Sequence, residues 1–358
     1  MTSKKRTAAV NHQERIARLQ AEMKQYEGPD RFYRTYSSEL LSRGRDARVR
    51  SWYDENKRFS MLNVTDLCGV TALASMSTGP ILEIGTYLGG VTVALGRGSS
   101  AQGSRIVCIE KGGSHTSHPR LPTKDILADW RTNIDSAGLA DRTVMIVGNY
   151  GTSDAQAAAA EAAVEPFGLI FMDADGRVDA AFNGFGRYMS HNALLMIDDY
   201  ASQSYQDKAP LTKSVVDTLC EKEILVQWGL LSGQTWFGAV GPRFAEFVEN
   251  DMLIVRVRLM DESRAESPNK AYVLDLPEEY ALVADDAKQK NSPLILLEGG
   301  QCSGLAHFSY DDIPNYPGSY THYRGQLAFS TRDGSDPLAN GRRYEIVVGD
   351  RRREMILT

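Results

Sequence analysis

The stretch ILEIGTYLGG, residues 81–90, decides how this chain is read. A short run apolar on both faces ends in a carboxylate, Glu83, and then in glycines at 85, 89 and 90. That is the pattern of a buried strand turning sharply into a helix. In an open parallel sheet, ligands sit beyond the carboxyl ends of such strands, where a turn without Cβ atoms lets backbone approach a ligand. A tight strand-to-helix turn needs small residues for packing in any case, so the glycines alone do not separate a binding loop from a plain bend.

Working outward, four more apolar runs follow: RIVCIE (105–110), TVMIVG (143–148), LIFMDAD (169–175) and ALLMIDDY (193–200). Segments long enough for crossover helices lie between them, including Asp125–Ala137 and the alanine-rich Asp154–Val164, which Pro166 ends. Strands alternating with helices predict a doubly wound, mostly parallel α/β sheet. Upstream, Asn63–Met76 has helical spacing, and Ile16, Leu19 and Met23 recur as on a surface helix between His12 and Tyr26. Past Gly241-Pro242 the pattern becomes alternating strands, such as MLIVRVRLM (252–260) and RYEIVVG (343–349), divided by turn clusters. We therefore expect an N-terminal helical cap over 1–60, an α/β domain over 61–244 and an all-β, sandwich-like module over 245–358.

Bulk composition narrows the function classes. The 358 residues carry a formal charge of −6, which gives no reason to expect nucleic acid or an anionic membrane as partner. Residues 1–60 hold 14 Lys and Arg against 8 Asp and Glu, a basic end read as a solvated cap. No run reaches the ~18 apolar residues of a membrane span, and no secretory signal is visible at the start, so a cytoplasmic location is expected. Cys68, Cys108, Cys220 and Cys302 lie far apart and fit reduced, mostly buried thiols better than a zinc site or a disulfide framework.

Two further groups carry chemistry. Glu110 ends the second strand, facing the glycine bend, where a carboxylate can accept two hydrogen bonds from a ribose diol. The bend is E-x-G-x-x-x-G-G and not G-x-G-x-x-G, which suits a ribose-bearing cofactor with a cationic amino-acid tail better than a pyrophosphate. Asp173 and Asp175 in FMDAD, with Asp198 and Asp199 in MIDDY, place four carboxylates at neighbouring strand ends. Such like charges call for a cation among them, and hard oxygen donors favour Mg²⁺, with Mn²⁺ or Ca²⁺ as alternatives.

These motifs resemble those of class I S-adenosylmethionine-dependent O-methyltransferases, in the metal-dependent group that includes catechol, caffeoyl-CoA and macrocin-type sugar enzymes. The resemblance spans about residues 75–205 and implies a Rossmann-like methyltransferase fold. It implies that Glu83, Gly85 and Gly89 line the methionine and sulfonium part of S-adenosylmethionine, that Thr86 also touches the cofactor, that Glu110 holds the ribose and that Tyr150 approaches the adenine. It implies Asp173, Asp198 and Asp199 as metal ligands and Asp175 as general base. The chain departs from the catechol pattern at Gly176, where a lysine is expected, and at Asp199, where asparagine is usual; both departures favour a sugar-type acceptor. The expected activity is metal-assisted methylation of a hydroxyl on a sugar, glycan or glycosylated natural product. The alternatives are a non-catalytic scaffold and a cephalosporin hydroxylase-like enzyme on the same fold. A small-molecule or glycan acceptor is the expected partner, and a homo-oligomer is left open. His115 and His118 read as a polar loop that either covers the cofactor or supplies another base, and His191 as structural. The aromatic segment His307–Phe329 reads as sandwich core, with sugar stacking as the competing account.

Overall fold

The computed structural model describes residues 14, 17, 18, 21, 59–202, 207–261, 270–286 and 289–358. The expected cap over 1–60 lies almost wholly outside them, although Glu14, Ala17, Arg18 and Ala21 are helical. Contacts divide the chain into two compact units, one holding the residues up to Val178 and Arg187–Phe244, the other Asp179–Gly186 and Ala245–Thr358.

The first unit begins with helix α1 (Val64–Met76), capped by Asn63, whose side-chain oxygen accepts from the Asp66 N–H at 3.0 Å. Strands β1 (Ile81–Ile84), β2 (Ile106–Glu110), β3 (Thr143–Val147), β4 (Phe167–Met172) and β5 (Met189–Ile197) form the parallel part of the sheet. Helices α2 (Gly90–Gly98), α3 (Ile126–Ser136) and α4 (Ser153–Ala163) lie between the first four in sequence. A hairpin of β6 (Leu225–Leu231) and β7 (Thr235–Val240) completes the sheet, with β7 antiparallel to β5 and α6 (Ala209–Glu221) leading into β6. The order β3-β2-β1-β4-β5-β7-β6 confirms the doubly wound α/β class. It reverses between β1 and β4, the crevice where such sheets bind ligands. All four residues of β1 and all six of β4 are buried, as strands covered on both faces must be. Leu73, Val93, Leu95, Ile81, Ile106, Leu169 and Phe171 join one continuous core.

The second unit is a pair of sheets. One has the order β13-β14-β10-β9 and the other β12-β11-β15-β16-β8. The first is built from β9 (Val257–Leu259), β10 (Tyr272–Asp275), β13 (Tyr320–Tyr323) and β14 (Gln326–Phe329). The second comprises β8 (Leu253–Val255), β11 (Ile295–Glu298), β12 (Gln301–Cys302), β15 (Tyr344–Val348) and β16 (Arg351–Leu357). Alternate residues, Tyr272 and Leu274, Leu327 and Phe329, Tyr344 and Ile346, meet in one core between the sheets.

Two features differ from the sequence pattern. MLIVRVRLM is not one strand: it breaks at Arg256, so β8 pairs parallel with β16 while β9 pairs antiparallel with β10 in the other sheet. Arg256 reaches the buried Asp179 carboxylate at 2.8 Å, which pins the corner. The other feature is helix α5 (Val178–Phe185), most of which belongs to the second unit. Asn183 there bonds both backbone groups of Ile254, donating to its carbonyl and accepting from its N–H, each at 2.8 Å. Among the described residues no helix is long and apolar enough to cross a membrane. Cys108 is buried, Cys220 half-buried and Cys302 exposed, all as free thiols, so burial does not hold for all of them.

Candidate active site

Asp173 and Asp198 follow directly on β4 and β5, and their N–H groups continue the ladder, donating to Ile84 and Met172 at 2.9 Å each. Parallel pairing therefore brings the two tips side by side. Successive strand residues point to opposite faces, which would send Asp199 away from Asp198. Asp199 instead has φ 56, left-handed for a non-glycine residue, and this kink turns its carboxylate back. One carboxylate oxygen from each of Asp173, Asp198 and Asp199 then lies within 4.8 Å of the others.

Burial and the neighbouring Asp198 and Asp199 carboxylates push the Asp173 carboxyl well above the ordinary range. Asp199 is raised by burial and by Asp198. Thr235, on β7, donates its hydroxyl to Asp198 at 2.5 Å. A cation stands near: the Lys208 ammonium is 3.7 Å from Asp199 and donates to the Ala174 carbonyl at 2.6 Å. Three hard oxygen donors from three residues, gathered within 4.8 Å of one another, fit a divalent ion of the Mg²⁺ or Mn²⁺ type.

The cluster adjoins a cavity of about 290 Å³ lined by Gly85, Thr86, Glu110, Tyr150, Asp173 and Asp175, with Ser60, Tyr87, His115 and Lys208 among the others. Glu110 crosses to the glycine bend as its spacing implied, but its first partners are protein: Oε2 accepts the N–H groups of Thr86 and Tyr87 at 3.1 Å each, and Oε1 that of Gly112 at 3.2 Å. The carboxylate thus holds the bend in shape and keeps lone pairs for a diol. Thr86 lines the cavity with a buried hydroxyl that has no hydrogen-bond partner, the kind of group a ligand would complete. A cavity lined by Glu110, Asp173 and Asp175 fits a nucleoside with a cationic tail.

Glu83 and Gly89 are placed elsewhere, outside the cavity lining. Glu83 is fully buried beneath the bend, accepting from the Thr92 hydroxyl at 2.6 Å and the Cys108 thiol at 3.5 Å, while its Oε1 has no partner. Burial pushes its carboxyl up to about 8. Gly89 has φ 89 and caps α2; a Cβ there would meet Trp130 at 3.0 Å. At Gly85 a Cβ would sit 1.8 Å from the Asp173 carbonyl oxygen. These two glycines therefore make room first for the protein itself, the packing account of the bend, while the other side of the bend opens to the cavity.

Asp175 is exposed at the cavity wall, where Oδ1 accepts the Tyr150 hydroxyl and, at 3.2 Å, the Arg177 N–H. The structure thus joins Tyr150 to Asp175, a pair with no linear signature. Lys208 and Thr235 were also missed by sequence reasoning. Neither sits in a motif, and only the pairing of β7 with β5 and the start of α6 bring them to the aspartates.

The histidine loop is tied down. His115 and Thr123 exchange backbone bonds at 2.9 and 3.2 Å, and the His115 ring packs on Tyr87 and on His118, 5.0 Å between the two imidazole centroids. His118 Nδ1 accepts from the N–H groups of Arg120 and Leu121, so that nitrogen carries no proton. In the second unit Tyr320 and Phe329 lie in the core, and His322, buried against Ser292 at 2.7 Å, is pushed down to about 4 by burial. His307 pairs with Asp285 at 2.7 Å. The core account of that segment describes these residues; Tyr316, packed on Phe308, is 54% exposed.

Residues 82–200 match the family model of a methyltransferase domain. A catechol O-methyltransferase from Mycobacterium tuberculosis is 32% identical over 120 residues, 33% of this chain and 47% of that protein. The chain thus spans about half the length of the curated relative it matches. An O-methyltransferase from Bacillus cereus, solved in complex with SAH, is 19% identical, covering 62% of this chain and 99% of its own, with a TM-score of 0.40. The O-methyltransferase TomG from Streptomyces achromogenes, solved with SAM, is 17% identical over 58% and 92% of the two chains, TM-score 0.39. The methyltransferase match runs from β1 to just beyond Asp199, so it contains every residue of the aspartate cluster.

Proposed function

We propose that the chain is an S-adenosylmethionine-dependent, divalent-metal-assisted O-methyltransferase acting on a hydroxyl of a sugar, glycan or glycosylated natural product. The observation that carries it is the convergence of Asp173, Asp198 and Asp199, the first of which lines the same cavity as Glu110. Asp173, Asp198 and Asp199 would hold the ion, and Gly85, Thr86, Glu110 and Tyr150 the cofactor. When bound, the ion would lower the pKa of the acceptor hydroxyl and fix its direction, and the cofactor would supply an electrophilic methyl group.

The chain's own groups do the rest. Glu110 keeps the bend rigid through three backbone N–H bonds, so the ribose side of the cavity is preorganised. Thr235 fixes the rotamer of Asp198. Asp175, held by Tyr150, is the carboxylate beside the cluster that can take a proton from the acceptor, with Tyr150 setting its orientation. Gly176 and Asp199 support the sugar-type acceptor over a catechol.

The test is calorimetric titration of S-adenosylmethionine and of Mg²⁺ into the wild type and Asp198→Ala, paired with labelled-methyl transfer to a panel of glycosides and catechols. Asp198→Ala should still bind the cofactor, lose the ion and lose about 100-fold or more in turnover. Turnover that persists in a chelator, or in Asp198→Ala, would remove the metal from the proposal.

A further inference from the structure

Lys208 is anchored at its root. It is the residue before α6, its carbonyl accepts the Thr212 N–H at 2.9 Å, and its backbone lies against Gly176 in the loop after β4. A Cβ at Gly176 would come 3.2 Å from the Lys208 carbonyl and 3.3 Å from its Cβ, so a side chain there would push the lysine back by a few tenths of an ångström. From that root the ammonium reaches Ala174 and Asp199. It lines the same cavity as Asp173.

An ammonium in this place offsets carboxylate repulsion as a divalent ion would. Two cations a few ångströms apart repel, and in a half-buried site that repulsion is poorly screened. We propose that Lys208 is a resident counter-cation of the aspartate cluster: it holds Asp199 when no divalent ion is bound and must leave it before one enters. Ion binding and the Lys208–Asp199 pair then exclude one another, and the affinity of the site is set by that competition. The inference rests on the metal-assisted reading of the site and adds to it a determinant of affinity that lies outside the three ligands.

The experiment is Mn²⁺ titration of the full chain followed by the electron paramagnetic resonance of free ion, for wild type, Lys208→Met, Lys208→Arg and the double variant Lys208→Met with Asp198→Ala. Removing one positive charge near the site should tighten Mn²⁺ binding by about tenfold or more, the effect expected of a single charge within ~4–6 Å. Lys208→Arg should bind no tighter than wild type, and the double variant should lose the gain. In chelator, Lys208→Met should melt below wild type, with Mn²⁺ restoring it. Binding by Lys208→Met alone, with none by wild type, also supports the inference. Equal or weaker binding by Lys208→Met, with wild type binding well, overturns the inference and leaves the metal reading standing. No binding by either overturns both.

Discussion

Glu83 lies beneath the glycine bend and outside the cavity lining. Its place in ILEIGTYLGG suggested a cofactor contact, yet it is buried under the bend in a chain in which Trp130 donates to Thr92 and Thr92 to Glu83. Its carboxyl is raised from 4.5 to about 8, and that of the buried Asp66 from 3.8 to about 7, both chiefly by burial. A folded-state pKa raised above the unfolded value means that the folded protein keeps a proton which the unfolded chain gives up. Stability from Glu83 is therefore fully present below pH 4.5 and is lost as pH rises toward about 8. Glu83→Gln should flatten that slope: near neutral stability at pH 5, and a gain of about 1–3 kcal/mol at pH 8.5. Urea unfolding at the two pH values measures it, and an equal effect at both would refute the neutral carboxyl. The glycine pattern was legible as a bend; which side of the bend was protein and which was cavity was not, because a Cβ clash depends on a residue 88 positions further on.

The strand tips and the loops that join them are where the site is assembled. β1 and β4 are neighbours, so Gly85 and the Asp173 carbonyl lie against each other at the carboxyl end of the sheet. Gly85→Ala combines a 1.8 Å approach with a φ of 81, and should cost about 2 kcal/mol or more. Gly148→Ala, whose Cβ would meet Ala155 at an ordinary 3.9 Å, should be nearly silent. Thermal unfolding of the pair checks this, and comparable losses in both would show that the bend tolerates side chains evenly. Five strands of the parallel sheet and the helices over 126–136 and 153–163 were readable from periodicity and breakers. The break of MLIVRVRLM at Arg256 was not, since its cause is an ion pair to Asp179, 77 residues earlier.

The two units interleave along the chain. Asp179–Gly186 lies inside the α/β sequence and belongs with the β sandwich. A boundary drawn at 244 from the change of strand pattern cuts away Arg256, the partner of a buried carboxylate, and Ile254, the partner of Asn183. Without residues 245–358, the 179–186 segment loses the part of the chain it clusters with, including the partners of Asp179 and Asn183. The fragment 1–244 should therefore be markedly less stable than the full chain, with a melting temperature lower by about 10 °C or more. A fragment that melts with the full chain would show that α5 needs nothing from the second unit.

Local pattern determined the class of this protein: apolar runs with period two or none, helices between them and carboxylates at strand ends fix what each segment can be, because burial and backbone bonding are short-range demands. Tertiary structure decided the rest. Whether four aspartates converge depends on strand order and on a single left-handed residue, Asp199, and the result is that three meet while Asp175 turns to Tyr150. Lys208 enters because α6 starts beside Gly176. Such meetings are set by the packing of elements far apart in the chain, and no spacing along the sequence encodes them.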